Sequence, residues 1–358
     1  MQSGTIRVCI DVERLKYPHT GLYHFCWELG KALMLERSAA DELYFYLPPR
    51  QAGIFGESAK YVKQSSLHKW LFPNTHSYQV WHSVHQGSDY FPYGGKVPVV
   101  LTVHDLNFLH QTQRTAHSIQ KRLDNLQQKI HRSQHLVAIS SFVLRELQQH
   151  LDISNITTSV IYNGCNFSDL PASPPKLIPA APFLFAIGTI AAKKNFHVLP
   201  ALLVGNDYHL VIAGIVQEEK YLTSIYDAAR RWGVLDRIHI TGGITESEKK
   251  WYYEHCAAFV FPSVSEGFGM PVLEAMDAGK PVFLSNLTSL PEVGGALAYY
   301  FTSFDPEEMR EELQAGLSHY ANTSPQDALH QHARSFSWVE AAHQYLAIYH
   351  QLAEGSFI

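Results

Sequence analysis

Short runs of β-branched and aromatic residues recur along the chain, each followed by a longer stretch whose apolar residues return at helical spacing. A continuously apolar strand must be covered on both faces, and a helix after each strand supplies that cover. The pattern therefore predicts an α/β protein built on parallel sheets. In the first half the strand candidates are residues 6–10, 43–47, 78–83, 97–103, 135–139 and 158–162, and Leu22, Phe25, Leu29 and Leu33 mark one face of the first helix. Residues 171–182, PASPPKLIPAAP, carry five prolines and no periodicity, which predicts an extended connection at a domain boundary. Beyond it the alternation restarts at 183–187, 208–214, 237–241, 257–263 and 281–285. Thr245 with Glu248, and Ser337 with Glu340, have the spacing of capping boxes; the second pair opens a helix with Trp338, Ala342, Tyr345, Tyr349 and Leu352 on one face. The expected division is 1–172, 173–335 and a final helical segment, 336–358.

The composition, 46% hydrophobic and 17% charged over 358 residues, excludes a disordered chain. A net charge of −5 gives no overall attraction to nucleic acid. Cys9, Cys26, Cys165 and Cys256 lack metal-type or redox-type spacing and are expected to be free thiols in a reducing cytosol. No apolar leader and no run of about 18 apolar residues occurs, so a cytoplasmic protein, neither secreted nor membrane-spanning, is expected.

The stretch 262–281, PSVSEGFGMPVLEAMDAGKP, sets two carboxylates around a glycine-framed turn. Pro271 suits a first helical turn and Gly279 a stop, so a helix begins inside the stretch. Gly267 and Gly269 let backbone amides approach a ligand at the helix mouth, where anions bind. Glu274 lies about one turn in and tilts back toward that mouth, while Glu266 flanks it from the strand end. Two solvated glutamates on a capped helix are one reading. The glycine loop, the proline and the strand context favour the other, in which amides meet a diphosphate and the carboxylates accept hydroxyls from the sugars attached to it.

The segment EGFGMPVLEAM resembles the E-x7-E signature of retaining glycosyltransferases of the GT-B fold, family 4. The resemblance continues in family order through TGLYHFCWELGKAL, LTVHDLNFLH, LVAISSFVLREL, VIYNG, FLFAIGTIAAKKNF, LVIAG, IHITGGI, PEVGG and FSWVEAA. It implies two Rossmann-like domains with parallel sheets facing across a cleft, and a C-terminal helix crossing back to the first domain. It also implies that Glu266 meets hydroxyls of the donor hexose and Glu274 the nucleotide ribose. Gly267 and the amides of Phe268, Gly269 and Met270 would line the sugar and phosphates. Lys193 and Lys194 stand where the family has a basic pair, commonly Arg-Lys, facing the diphosphate. Lys at 193 keeps the charge but not the guanidinium fork. His104 matches a histidine near the reacting sugar, Gly21 a glycine loop near acceptor and phosphate, and Gly242, Gly243 and Ile244 a loop that contacts the nucleobase.

The resemblance further implies hexose transfer with retention, most simply mannose from GDP-mannose, with UDP- and dTDP-sugars open. The acceptor is expected to be a glycan or lipid-linked glycan of a bacterial surface polysaccharide. No Asp-x-Asp occurs, so no metal and no cofactor beyond the substrate are expected. Residues 111–135 set Arg114, Lys121, Arg122, Lys129 and Arg132 against one acid, Asp124, a face either solvated or turned to the inner membrane or the acceptor. A GT-B nucleotide-sugar epimerase and a non-catalytic nucleotide-sugar-binding component of a glycan assembly complex are the alternatives.

Overall fold

The computed structural model describes residues 5–18, 20–110, 115–165 and 171–355. The chain divides into two compact units. One takes the residues up to Gly164 together with those from Ser337 onward, and the other is Cys165–Phe336. The first crossing thus precedes the proline-rich stretch, which runs as irregular chain within the second unit.

The first unit is built on seven strands: β1 (Arg7–Asp11), β2 (Glu42–Leu47), β3 (Lys60–Lys63), β4 (Val80–Ser83), β5 (Val99–Val103), β6 (His135–Ala138) and β7 (Thr157–Val160). All pairings are parallel, in the order β3-β2-β1-β4-β5-β6-β7. The second unit has β8 (Phe183–Ile187), β9 (His209–Ala213), β10 (Ile238–Gly242), β11 (Ala258–Phe261), β12 (Val282–Ser285) and β13 (Tyr299–Phe301), parallel in the order β10-β9-β8-β11-β12-β13. In both sheets the order reverses beside the first strand, the doubly wound, Rossmann-like topology. Central strands such as β5 and β11 are buried at every residue, as sheets covered on both faces require.

Helix starts follow the caps. Thr20 accepts the amide hydrogen of Tyr23 at the start of Gly21–Glu36, and the Thr245–Glu248 box closes in both directions. The Ser337–Glu340 box closes by half. Ser337 accepts from the Glu340 amide, but the Glu340 carboxylate is taken by the Gln344 side chain, 2.9 Å away.

The helix Trp338–Ala353 packs against Gly21–Glu36 and buries Trp338, Ala342, Tyr345, Tyr349 and Leu352. A polar chain fixes its register on the sheet. His82 bonds the Tyr349 hydroxyl through Nδ1 at 2.6 Å and Thr102 through Nε2 at 2.8 Å, and Thr102 meets the Tyr345 hydroxyl at 3.0 Å. Burial holds His82 at a pKa of about 3, so the ring is neutral and offers one donor and one acceptor to this chain.

Removing the Tyr349 hydroxyl leaves a buried imidazole nitrogen unpaired, so Tyr349→Phe should cost about 1–3 kcal/mol in denaturant titrations. The His82 pKa lies below its ordinary 6.5, so the unfolded chain binds the extra proton. Its contribution to stability is complete above pH 6.5 and is lost as pH falls from there toward 3. Thermal melts of the wild type should decline over that window, and more shallowly in His82→Gln.

Candidate functional site

All strands of a parallel sheet end on the same edge, and the loops there are free to carry chemistry. In the second unit Lys193 and Lys194 follow β8, Gly242 ends β10 with Gly243 and Ile244 after it, and Glu266 follows β11. Gly214, after β9, is packed so tightly that a Cβ there would lie 1.9 Å from the Gly188 carbonyl oxygen, and its amide donates to the Gly242 carbonyl at 2.8 Å. The loops after β8, β9 and β10 are therefore stacked backbone on backbone.

The helix after β11 is Met270–Asp277, with Pro271 in its first turn and Gly269 as N-cap at φ 112°. That angle is left-handed, which a side chain would resist. The preceding loop is tied down from β12: Thr288 Oγ1 accepts from the Glu266 amide at 3.3 Å, and Ser289 Oγ donates to the carbonyls of Glu266 and Phe268 at 3.1 and 2.8 Å. Phe268 is buried, with its ring edge-on to Phe336. It anchors the loop while Gly267 and Gly269 turn around it.

Each glutamate holds a lysine. Lys194 Nζ donates to Glu266 Oε1 at 2.5 Å, and Ser263 Oγ donates to the same oxygen at 2.6 Å. The Lys194 ammonium also lies 4.7 Å from the centre of the Phe261 ring, and its stem runs beneath Gly188, where a Cβ would come within 3.0 Å of Cε. Burial lowers the Lys194 pKa and the Glu266 carboxylate opposes that shift, while neighbouring Lys193 adds to it. Lys193 is half-buried and its carbonyl takes the Val264 amide at 2.9 Å and the Ser263 hydroxyl at 3.1 Å.

At Glu274, Oε1 accepts from Lys249 Nζ at 2.8 Å and Oε2 from the Tyr253 hydroxyl at 2.9 Å. Lys249 also pairs with Glu246 at 2.8 Å; burial works against its charge, but the two carboxylates raise its pKa. Lys249, Tyr253 and Ser263 were not expected from the sequence. Lys249 and Tyr253 stand one turn apart on the helix Glu246–His255, a spacing that carries no chemical signature by itself.

Gly21 and His104 belong to the first unit. Gly21 is the exposed first residue of its helix, with open space where a Cβ would point. His104 follows β5, is buried, and bonds the Val84 carbonyl through Nε2 at 2.7 Å with its ring edge-on to Phe25 at 4.5 Å. Burial lowers its pKa to about 4, so it is a neutral ring donating through Nε2.

The basic segment divides by role rather than forming one solvated face. Lys129 is buried and donates to the Gln86 and Ser88 carbonyls at 2.8 and 2.7 Å, and Arg132 donates to the Val97 carbonyl at 2.9 Å. Lys121 and Arg122 line a cavity, and Arg114 lies outside the described residues. Among the described residues no group of three or more His, Cys, Asp or Glu side chains is arranged to hold a metal ion.

Two family models match in tandem: Glycosyltransferase Family 4 over residues 58–169 and Glycosyl transferases group 1 over residues 174–334. The serotype-specific mannosyltransferase WbdA of Escherichia coli is 31% identical over 248 residues, 63% of this chain but only 30% of that protein. The O-antigen chain mannosyltransferase B of Escherichia coli is 24% identical over 333 residues, covering 81% of this chain and 85% of that one. Among solved structures, sucrose-phosphate synthase from Thermosynechococcus elongatus shares the fold with a TM-score of 0.77 at 17% identity, covering 98% of this chain and 100% of that chain. With one family model on each unit and the two-sheet GT-B fold beneath both, the chain belongs to the family 4 glycosyltransferases.

Proposed function

We propose that this chain transfers a hexose, mannose from GDP-mannose, to a hydroxyl of a glycan or lipid-linked glycan in bacterial surface polysaccharide synthesis, with retention at the anomeric carbon and without a metal. The observation that carries the reading is the pairing of Glu266 with buried Lys194 at the sheet edge, beside a second carboxylate–lysine pair at Glu274. A carboxylate with lone pairs to spare accepts sugar hydroxyls, and an ammonium held beside it neutralises a departing phosphate. The names of the two mannosyltransferase relatives support mannose and O-antigen-type products.

In the proposed reaction the bond between the anomeric carbon and the phosphate oxygen breaks, with its electron pair leaving on the phosphate. Lys193, Lys194 and the amides before Met270 meet that charge, a preorganised electrostatic effect. The acceptor oxygen attacks the same face and passes its proton to the departing phosphate. Glu266 and Glu274 are each committed to a lysine and a hydroxyl donor, which favours this front-face route over a covalent glycosyl-enzyme. Neutral His104 is assigned to orienting the sugar, not to taking a proton. The acceptor would be met at the cytoplasmic face of the inner membrane, with the protein as a peripheral partner.

Lys194→Ala should lower kcat about 100-fold while changing donor KM less, because the charge it meets grows only in the transition state. Lys194→Arg should recover little, since the guanidinium has a different reach and shape from an ammonium. An unchanged kcat in Lys194→Ala would remove the assignment. In calorimetry with the free nucleoside diphosphate, Glu274→Gln should weaken binding, whereas Glu266→Gln should keep most affinity and lose turnover. Equal loss of affinity in both would dissolve the division of roles. Exhaustive chelation should leave transfer intact, and activity abolished by chelator and restored by Mg²⁺ or Mn²⁺ would contradict the metal-free reading. Sugar interconversion without acceptor would point to an epimerase, and no release of nucleotide under any condition to a binding component.

A further inference from the structure

The chain leaving β4 grips His104, just past the end of β5, in two ways. The first grip is on the ring. Nε2 bonds the Val84 carbonyl at 2.7 Å, and a carbonyl only accepts, so the proton sits on Nε2 and Nδ1 keeps its lone pair. Among the described residues Nδ1 meets no hydrogen-bond donor. The second grip is on the backbone and comes from two residues further along. The Gln86 side chain accepts the His104 amide hydrogen at Oε1, 3.0 Å away, and donates from Nε2 to the Asp105 carbonyl at 2.8 Å. One planar amide thus brackets residues 104 and 105, a task that needs a donor and an acceptor on the same head.

Gln86 is itself held in place. Lys129, on the helix Ala116–Arg132, is only 4% exposed and directs two N–H bonds to the Gln86 and Ser88 carbonyls. Arg14 donates to the Gly87 carbonyl between them at 2.9 Å, and the Ser88 hydroxyl donates to Asp11, the last residue of β1, at 2.5 Å. Three successive residues of the loop are therefore tied to β1, to the turn after it and to a distant helix. A buried ammonium on neutral carbonyls stiffens the loop, because releasing either carbonyl would leave the charge with less to hold it.

We propose that Gln86 is a positioning residue for sugar transfer: its clamp on residues 104 and 105 fixes His104 so that Nδ1 accepts a hydroxyl of the transferred sugar, and Lys129 holds the clamp. The inference rests on the proposed role of His104 and deepens it. The nitrogen that meets the sugar is named, and its setting is controlled by a residue that acts only through the histidine.

The test is a double-mutant cycle on the full chain with GDP-mannose, read as release of GDP. The clamp grips main chain, so it persists when the His104 ring is replaced, and a purely structural effect of Gln86 falls equally on both backgrounds. Gln86→Met keeps the length and removes donor and acceptor. It should lower kcat about tenfold or more in the wild-type background, with GDP affinity by calorimetry held within about twofold. In a His104→Gln background the same change should cost less than about twofold. Should the methionine variant not fold, Gln86→Glu, which accepts but does not donate, enters the cycle with the same expectation. Nitrogen spectra of the histidine rings need no turnover. The His104 signal, identified by its absence in His104→Gln, should change from that of a fixed Nε2–H ring to one averaged over both tautomers when the clamp is removed. Equal loss of kcat in both backgrounds, an unchanged kcat in the clamp variant, or an unmoved His104 signal overturns the proposal. GDP-mannose left intact by the wild type would count against the proposed donor and reaction, and the spectra would still decide the clamp.

Discussion

Parallel pairing is the constraint from which the rest of the molecule follows. Strands that run the same way need a helical return for each step, and those returns bury both sheet faces. What remains uncovered is the edge where the strands end. The loops after β8, β11 and β12 bring together Lys194, Glu266 and Ser289 from positions far apart in the chain. The tight stacking of Gly188, Gly214 and Gly242 shows the same constraint acting on the backbone, because loops leaving one edge must pass close to one another.

Within that edge the charges are arranged as coupled pairs. Taking a lysine out of water is costly, and the cost is tolerable only while a carboxylate stays beside it. Lys194 depends on Glu266, and Lys249 on Glu274 and Glu246. Removing either member of a pair leaves the other stranded, so the effect of a single substitution mixes the loss of a ligand contact with the loss of the partner's setting. The Tyr253 hydroxyl and the Ser263 hydroxyl complete the two sets with neutral donors, leaving each carboxylate oriented but not saturated.

Most of the strand pattern was legible because buried parallel strands are apolar at nearly every position. The two strands that were missed, β3 and β13, are both at sheet edges. One is the charged, part-exposed KYVK, and the other is the three-residue YYF, so neither has the double-faced burial that makes a run readable. Glu266 and Glu274 were legible from their glycine and proline setting. Lys194 was singled out as well, but Lys249 was not, since it is 25 residues from Glu274 and only the fold brings them together. Lys129 and Arg132 show the opposite failure: in sequence they read as part of a solvated face, but they serve as donors to loop carbonyls.

The two places where the chain changes units lie side by side. The Cys165 amide donates to the Phe336 carbonyl at 2.8 Å, and Gly164 is pressed so closely on Trp338 that a Cβ would fall 2.2 Å from its backbone nitrogen. Topologically the second unit is therefore a cassette whose ends meet, inserted into a first unit that resumes almost where it stopped. Such a cassette can be exchanged as one block of coding sequence without rethreading the host sheet. In lineage terms, the segment between Gly164 and Ser337 can be traded between related chains as one piece, with the helix that follows it still closing the original unit.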